Sequence, residues 1–318
     1  MQIYDKNLVY DNSFYNYFSA TDALKSLTLR LSIFKPFIAM KKIFSLLLAL
    51  ICFNAVFASV EVDSIFEADP YFLLMGEADA AIADQRWEEA AARLTDALSV
   101  RPEHPSNALL FNNLATVYSY MGRDSLAVAT YDRGLDIAPN MLTLVLGRGK
   151  ALLAIGHDRD AFADFDHAVG IDSLNTDARY YRGMLRIYSG DLAGAEADFD
   201  VLSRVAPKSA DTAVAMATLY SLSGRARQAI PYLRNLIDMD PAPEYYANLA
   251  GCYLDCGDLS EASETIGTAL EAYPNDPELY YYRARLNRDR YRNDDAQADA
   301  RRAIQLGANP ARVRQLFE

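Results

Sequence analysis

The sequence repeats itself at an interval of 34 residues. The clearest copies are residues 161–166 (AFADFD) and 195–200 (AEADFD), and each is preceded at the same offset by an Arg-Gly pair, residues 148–149 and 182–183. A repeat of this length accommodates two helices and a turn. Since one helical hairpin cannot bury its own apolar face, such hairpins must stack on one another. The repeat therefore predicts a linear array of helical hairpins.

Small residues extend this repeat through seven copies. One column lies in the predicted second helix of each hairpin: Ala90, Ala127, Ala161, Ala195, Ala229, Ala262 and Ala296. A second column lies in the first helix: Ala78, Ala115, Gly149, Gly183, Ala217, Ala250 and Ala284. Helices approach to about 8 Å only where the side chains between them are small, so both columns predict helix crossings.

The residues between helices also recur. Glycines at 122, 156, 190, 224 and 257 stand where a helix end favours a left-handed residue, and Gln85 and Tyr291 replace them in the first and last copies. In the fifth copy, Pro231 is expected at the end of the first turn of a helix that begins near Arg227. After the last copy, Asn309 is a helix cap, and the residues expected to cover the last hairpin are Val313, Leu316 and Phe317.

Together these positions resemble the tetratricopeptide repeat family, whose small, aromatic, bulky and proline positions recur here in nearly every copy. The tyrosine typical of the first helix is present as Tyr118, Tyr220 and Tyr253 and is replaced in the other copies. The resemblance implies an all-α, right-handed superhelical solenoid of about seven hairpins over residues 70–308, with a capping helix at residues 309–318. It also implies a protein-binding scaffold rather than an enzyme.

In this family, a stripe of each first helix faces a concave groove that holds peptides. The stripe residues expected to contact a partner are Asn112, Asn113, Thr116, Tyr120, Lys150, Tyr180, Tyr181, Met184, Tyr188, Asn248, Tyr281, Arg285 and Arg288. Aromatic rings and Asn amides suit a polypeptide ligand. Packing between neighbouring hairpins would explain many of the same tyrosines. An alternative function is a structural subunit that forms a homo-oligomer or docks into an envelope assembly through its edges.

A secretory signal peptide is predicted at residues 40–58. Residues 40–42 (MKK) precede an apolar run at residues 43–53, and the small residues up to Ala58 suit cleavage. The run is shorter than the roughly 20 residues of a spanning helix, so cleavage is favoured over a retained anchor. Export to the periplasm or the cell surface is therefore expected.

The segments on either side of the predicted signal peptide carry weaker signals. Residues 1–39 are rich in Tyr, Asn and Phe and do not suit the start of a signal peptide, so we interpret them as an untranslated or disordered extension. Residues 59–69 are a short lead into the repeats. After cleavage, no stable insertion in a membrane is expected.

The chain has 43 acidic and 31 basic residues, for a formal net charge of −12. This balance opposes nucleic acid and anionic membranes as partners, because both demand a basic surface. Most arginines are expected to form ion pairs between helices. The aspartates of the two six-residue copies are expected on the solvated helix surface.

No catalytic, cofactor or metal motif accompanies the repeats. His104, His157 and His167 are not tied to a nucleophile by a recognisable motif, and the aspartates around His157 lack the spacing of a calcium loop. Cys252 and Cys256 lie four residues apart on a predicted helix. Their Cβ atoms would be roughly 5 to 6 Å apart, too far for a disulfide, so both are expected to be small packing residues.

Overall fold

The computed structural model describes residues 69–318, so the predictions for residues 1–68 lie outside the described part of the chain. Pro70–Glu318 forms one compact unit, an all-α solenoid in which fifteen helices follow one another without a strand. The seven hairpins are α1 (Pro70–Ala83) with α2 (Trp87–Val100), α3 (Asn107–Tyr120) with α4 (Asp124–Ile137), α5 (Leu142–Ala154) with α6 (Asp158–Ile171), α7 (Thr176–Ser189) with α8 (Leu192–Val205), α9 (Ala210–Leu222) with α10 (Ala226–Met239), α11 (Pro243–Cys256) with α12 (Leu259–Ala272), and α13 (Pro277–Asp289) with α14 (Asn293–Gln305). The cap is α15 (Pro310–Arg314), continued by a 3-10 turn, Gln315–Phe317.

The column of small residues in the second helices is the centre of the packing. All seven of its alanines are fully buried, with no exposed surface. In the first helices, Gly149 and Gly183 are also required by their neighbours. A Cβ on Gly149 would lie 2.9 Å from the Phe165 ring, and one on Gly183 would lie 2.3 Å from the Phe199 ring. The predicted helix crossings are therefore confirmed, and they set how closely the two helices of each hairpin approach.

The turns between the two helices of a hairpin have the same backbone conformation in the terminal copies as in the central ones. Gly122, Gly156 and the other turn glycines have positive φ, and so do Gln85 (φ 57°) and Tyr291 (φ 61°). The terminal hairpins therefore form the left-handed turn with residues for which that conformation is less favourable. Tyr291 is 91% exposed and packs little against the rest of the unit.

Buried ion pairs join the helices of several hairpins. The expectation of solvated aspartates was therefore wrong for the first aspartate of each six-residue copy, but it holds for Asp166 and Asp200, which are exposed. Asp164 is 4% exposed and Asp198 is fully buried. Arg148 donates from Nε and Nη2 to the two oxygens of Asp164 at 2.9 and 2.6 Å, and Arg182 pairs with Asp198 in the same way. Both carboxylates lie on the side of the second helix that faces the first helix, where an arginine can reach them.

The same kind of ion pair, which we call a clasp, recurs at one sequence spacing. In each case a residue of the first helix pairs with the residue 16 positions later, in the second helix. Arg283 pairs with Asp299, and Glu77 pairs with Arg93 with the charges reversed. Arg148 and Arg182 each bind a second carboxylate, Asp132 and Asp166 of the preceding hairpin, at 2.7 Å. Ion pairs between helices are thus present at several of the arginines, and the arginines of the two central clasps each bridge three helices.

Two local predictions need correction. α10 begins at Ala226, so Pro231 is its sixth residue and lies in the second turn, where it removes a backbone donor from the helix interior. In the cap, Asn309 accepts from the backbone N–H of Ala311, and Val313 and Leu316 are buried. Phe317 is 44% exposed, because the chain leaves α15 through the 3-10 turn.

Candidate functional site on the first helices

All thirteen predicted contact residues lie on first helices, α3, α5, α7, α11 and α13. First helices of successive hairpins contact one another directly, as α3 does with α5, α7 with α9, and α11 with α13. The first helices therefore form a continuous surface, which we call the first-helix face. Because these helices are adjacent, side chains from different hairpins come together on this face.

The α3 part of this face is polar and half-buried. Asn112 donates from Nδ2 to Asn113 Oδ1 at 3.3 Å. Thr116 donates to the carbonyl of Asn112 at 2.8 Å, and its Oγ1 is also 3.0 Å from the Tyr131 hydroxyl. The Thr116 hydroxyl is thus committed within the chain, whereas the two amides keep donor and acceptor capacity for a ligand.

Exposure separates the remaining predicted residues into two groups. Tyr188 is 58% exposed, Tyr120 is 45% exposed and stacks on Trp87 at 4.7 Å, and Asn248 is exposed. Met184, in contrast, is 8% exposed and packs with Met216 and its neighbours in the core between α7 and α9. Met184 is therefore part of the core beneath the first-helix face.

Tyrosines are concentrated around α7. The Tyr181 ring stacks on Phe165 with 5.0 Å between centroids, and Tyr180 meets Tyr181 edge to face at 5.2 Å. Burial raises the pKa of the Tyr180 hydroxyl most, and Asp211 and the nearby tyrosines, among them Tyr245, raise it further. The Tyr180 hydroxyl is thus partly desolvated, and it is also affected by the negative charge of Asp211.

The ammonium of Lys150 is bound within the face. Its Nζ lies 2.6 Å from Asp177 and 5.2 Å from the centre of the Tyr181 ring. This geometry combines an ion pair with a cation–π contact. Lys150 therefore helps to join α5 to α7.

The predicted arginines of α13 also have partners within the chain. Arg285 pairs with Asp255 of α11 at 2.6 Å, and Arg288 pairs with Asp289 and donates to the carbonyl of Leu316 at 2.9 Å. Arg285 and Arg288 are therefore both held by groups of the chain itself. Arg288 ties the cap to α13.

The cap also covers part of the face. Arg312 of α15 lies 4.0 Å from the centre of the Tyr281 ring and 2.6 Å from Glu278. The ring of Tyr281 is therefore occupied by a cation of the chain itself. Arg312 was not among the residues that the sequence predicted for this surface.

A row of acidic residues was missed by the sequence prediction. The second residue of four successive first helices is acidic: Asp177, Asp211, Glu244 and Glu278. The signal was present as a repeat interval of 33 or 34 residues, but an acid in the first turn of a helix is also favoured by the helix dipole alone. The tertiary structure shows what the sequence could not, namely that two of these acids hold a cation beside a tyrosine ring.

The two cysteines of the repeats are free. Cys252 is 3% exposed, and its Sγ lies 3.5 Å from Ser221 Oγ. Cys256 is partly exposed, one turn further along α11. Both pack with the core around Ala250 and Leu254, as the sequence predicts for small packing residues.

Between residues 69 and 318, the side chains give little support for a metal site or for a membrane-spanning helix. No group of three or more His, Cys, Asp or Glu side chains there is placed to hold a metal ion. His167 Nε2 lies 3.0 Å from Asn140, and Asp164 is taken by Arg148. None of the helices in this range has the length and apolar character needed to cross a bilayer.

Comparison with known proteins identifies the family. Two family models, both described as tetratricopeptide repeat, match residues 72–140 and 220–286. These matches fall at opposite ends of an array whose seven hairpins share one geometry. The chain is a tetratricopeptide repeat protein.

Solved tetratricopeptide repeat structures share this fold. One from Parabacteroides merdae has a TM-score of 0.59 and 23% identity, over 78% of this chain and 97% of its own. PilW, a type IV pilus biogenesis factor, has a TM-score of 0.57 and 20% identity, over 66% of this chain and 96% of its own. YrrB, described as having an unusual peptide-binding site, has a TM-score of 0.51 and 18% identity, over 60% of this chain and 97% of its own.

Among curated proteins, the mitochondrial import receptor subunit TOM70 of Mus musculus is 23% identical over 215 residues, and that of Rattus norvegicus matches equally. The match covers 64% of this chain but 35% of those proteins. The chain thus spans about a third of the length of these curated relatives. The tetratricopeptide repeat fold supports a protein-interaction scaffold.

Proposed function

We propose that this protein is a non-catalytic scaffold that holds a segment of a partner polypeptide against the first-helix face. The observation that carries the proposal is the cluster of tyrosines on α7. Tyr180 and Tyr181 are half-buried, and the exposed Tyr188 lies further along the same helix. Large rings on a rigid helix give contact area at low entropic cost, as binding hot spots require. The peptide-binding site described for YrrB supports the same use of this fold.

The proposed location is the cell envelope, after export and removal of residues 40–58. This part of the proposal rests on the basic start and apolar run of that segment. Sequencing the N-terminus of the protein recovered from the envelope tests it. A mature N-terminus near residue 59 is expected, and an intact N-terminus in the cytoplasmic fraction would contradict export.

Site-specific photo-crosslinking tests the scaffold proposal. A photoreactive amino acid is placed at Tyr188 or Asn248 on the first-helix face, and in matched control variants at Asp238 or Glu264, which are exposed on second helices. We expect the same partner to crosslink from both first-helix positions in the native host and from neither control. Equal crosslinking from all four positions would remove the assignment of the first-helix face.

A row of exposed aliphatic residues favours a second candidate, self-association through an edge. The last residues of the first five second helices are Val100, Ile137, Ile171, Val205 and Met239, each 37 to 49% exposed. Replacing Ile171 and Val205 with Asp would break a dimer formed through this edge. Light scattering of the wild type and this variant separates the candidates, since a monomeric wild type excludes self-association.

A further inference from the structure

The edge of the array where the second helices end changes its charge between the fourth and fifth hairpins. The last residue of α8 is Val205 and the last residue of α10 is Met239, and they are 47% and 49% exposed. Arg204 precedes Val205, whereas Asp238 precedes Met239 at the same position of the repeat, and both charged residues are exposed. The exposed aliphatic surface is thus flanked by a basic residue in one hairpin and by an acidic residue in the next.

The residues that follow these two helices carry the same pair of charges. Lys208 lies in the loop after α8, Asp240 is the first residue after α10, and both are exposed. Within residues 69–318, none of these four charged side chains forms an ion pair. Arg204 donates from Nε to the carbonyl of Asp200 at 3.1 Å, which keeps its guanidinium at the end of α8. This edge therefore offers two basic and two acidic groups to a partner.

A second copy of this chain has the charges that complement such an edge. If two arrays lie antiparallel, with a two-fold axis between the fourth and fifth hairpins, the end of α8 in one copy faces the end of α10 in the other. Arg204 then faces Asp238 of the second copy, and Val205 faces its Met239. Lys208 and Asp240 lie beside them with the same signs. The two-fold axis repeats each contact, so opposite charges meet twice.

The charges also discriminate against the other way of joining two such edges. A two-fold axis along the array would place each hairpin against the same hairpin of the second copy. Arg204 would then face Arg204, and Asp238 would face Asp238. Facing like charges disfavour that arrangement, since interfaces place complementary charges opposite one another.

We propose that the protein forms a two-fold dimer through this edge, in which Arg204 and Lys208 of one copy pair with Asp238 and Asp240 of the other. This inference rests on the second candidate function, self-association through an edge, and adds to it the position of the axis and the residues that select it. The contact uses the ends of second helices and leaves the first-helix face free. The dimer therefore presents two first-helix faces to partners.

The test reverses the charges on one side of the contact at a time. The basic side is reversed in Arg204→Glu with Lys208→Glu, and the acidic side in Asp238→Lys with Asp240→Lys. Sedimentation equilibrium of the untruncated protein purified from its host gives the dissociation constant of the dimer for the wild type, for each variant, and for an equimolar mixture of the two reversed variants.

The matched control reverses two exposed acids elsewhere, in Glu261→Lys with Glu264→Lys. These residues lie in the first half of α12, away from the edge where the second helices end. Their reversal changes the net charge of the chain as much as the reversal of the acidic side does. All substituted positions are exposed, so every variant should fold, and circular dichroism checks this.

We expect the wild type and the control to be dimers at about 100 μM. Each reversed variant should dimerise at least about tenfold more weakly, because attraction becomes repulsion in both symmetric contacts. The mixture should dimerise about as tightly as the wild type. In the mixed dimer, the introduced glutamates of one variant face the introduced lysines of the other, and the unchanged residues face each other in the second contact.

Different results would overturn the dimer and the candidate function on which it rests. A wild type that is monomeric at about 100 μM would contradict both. If replacing Ile171 and Val205 with Asp breaks the wild-type dimer but neither charge reversal weakens it, self-association stands and the assigned axis is wrong. A mixture that stays monomeric would also refute the axis. In the crosslinking experiment, a photoreactive residue at Asp238 should join two copies of this chain, a product that differs in mass from a partner crosslinked at the first-helix face.

Discussion

At the scale of single residues, the two helices of a hairpin are matched by pairs of side chains. Glycine stands in the first helix where phenylalanine stands in the second, as Gly149 does opposite Phe165 and Gly183 opposite Phe199. Alanine at Ala217 instead stands opposite the aliphatic Leu233. The size of one residue therefore limits the size of the other, and this limit fixes the distance between the helices.

Gly183→Ala should destabilise the array. The new Cβ would lie 2.3 Å from the fully buried Phe199 ring, so backbone or ring must shift, at a cost of about 1 to 3 kcal/mol. The matched control is Gly267→Ala in α12, where a Cβ meets nothing within 4 Å. There the better helix propensity of alanine should raise the free energy of unfolding by about 1 kcal/mol. Urea unfolding measures both changes, and a shift in the same direction would contradict the packing account.

Asp198→Ala should be among the most damaging single changes. Asp198 is fully buried and accepts hydrogen bonds from Arg179, Arg182 and Arg186. Its removal leaves three guanidinium groups short of a partner, at a cost of about 3 to 5 kcal/mol. Asp200→Ala, two residues away on the exposed side of the helix, should change stability by less than about 0.5 kcal/mol. Similar unfolding midpoints for the two variants would refute the structural role of the clasp.

At the scale of helices, most elements have regular interiors, and α10 is the exception. Pro231 stands in its second turn with an exposed side chain. The proline cannot donate to the carbonyl of Arg227, and its ring crowds the preceding turn. The α10 helix nevertheless continues to Met239, because Ala229, Leu233 and Leu236 are buried against the neighbouring helices. Tertiary packing thus outweighs a local breaker.

Pro231→Ala should therefore stabilise the protein, by about 1 to 2 kcal/mol. The lost donor is restored, and only part of this gain is offset by the greater freedom of the unfolded chain. Pro274→Ala, in the loop after α12, serves as the control because no helical hydrogen bond is missing there. Thermal unfolding followed by circular dichroism measures the change. A lower midpoint for Pro231→Ala would show that the proline is needed for the packing of α10.

Two thiols one turn apart on α11 should differ in reactivity. Burial raises the pKa of the Cys252 thiol, so less thiolate forms at a given pH, and only 3% of the residue is exposed. Cys256 is partly exposed. In variants that keep one of these two cysteines as the only cysteine, a disulfide reagent should modify Cys256 rapidly and Cys252 slowly. Equal native rates, or no free thiol in the parent chain, would contradict this assignment.

At the scale of the whole repeat unit, each hairpin packs mainly on its neighbours, so stability is shared locally. The single tryptophan, Trp87, reports on the first hairpin, whereas far-UV circular dichroism reports on all helices. Leu316→Ala removes a buried side chain from the cap at a cost of about 2 to 3 kcal/mol. The loss of packing at the C-terminal end of the array should then have little effect on the fluorescence transition of Trp87.

We expect Leu316→Ala to lower the unfolding midpoint seen by circular dichroism more than the midpoint seen by Trp87 fluorescence. Leu94→Ala, in the first hairpin, should lower both, and the fluorescence midpoint more strongly, because Leu94 is buried beside α1. Phe317→Ala is the control at the cap, since Phe317 is 44% exposed. Coincident transitions that shift equally in the two damaging variants would show that the array unfolds as one cooperative unit.

The sequence by itself determined the repeat unit, because the residues that set it are local and recur. The small columns, the turn glycines and their replacements at Gln85 and Tyr291 predict seven hairpins, and a short capped helix follows them. The same columns could not show which polar residues are buried. The DFD stretches look solvated from their composition, yet their first aspartates lie against arginines of the first helix.

Only the tertiary structure decided which of the repeated charges and rings meet. Asp177 and Tyr181, or Glu278 and Tyr281, are near each other in sequence, but the cation that joins each pair comes from another helix. Local propensity and apolar periodicity set the helices, whereas contacts between hairpins depend on the angle and offset of stacking. Those quantities arise from the packing of the whole array, and no single repeat encodes them.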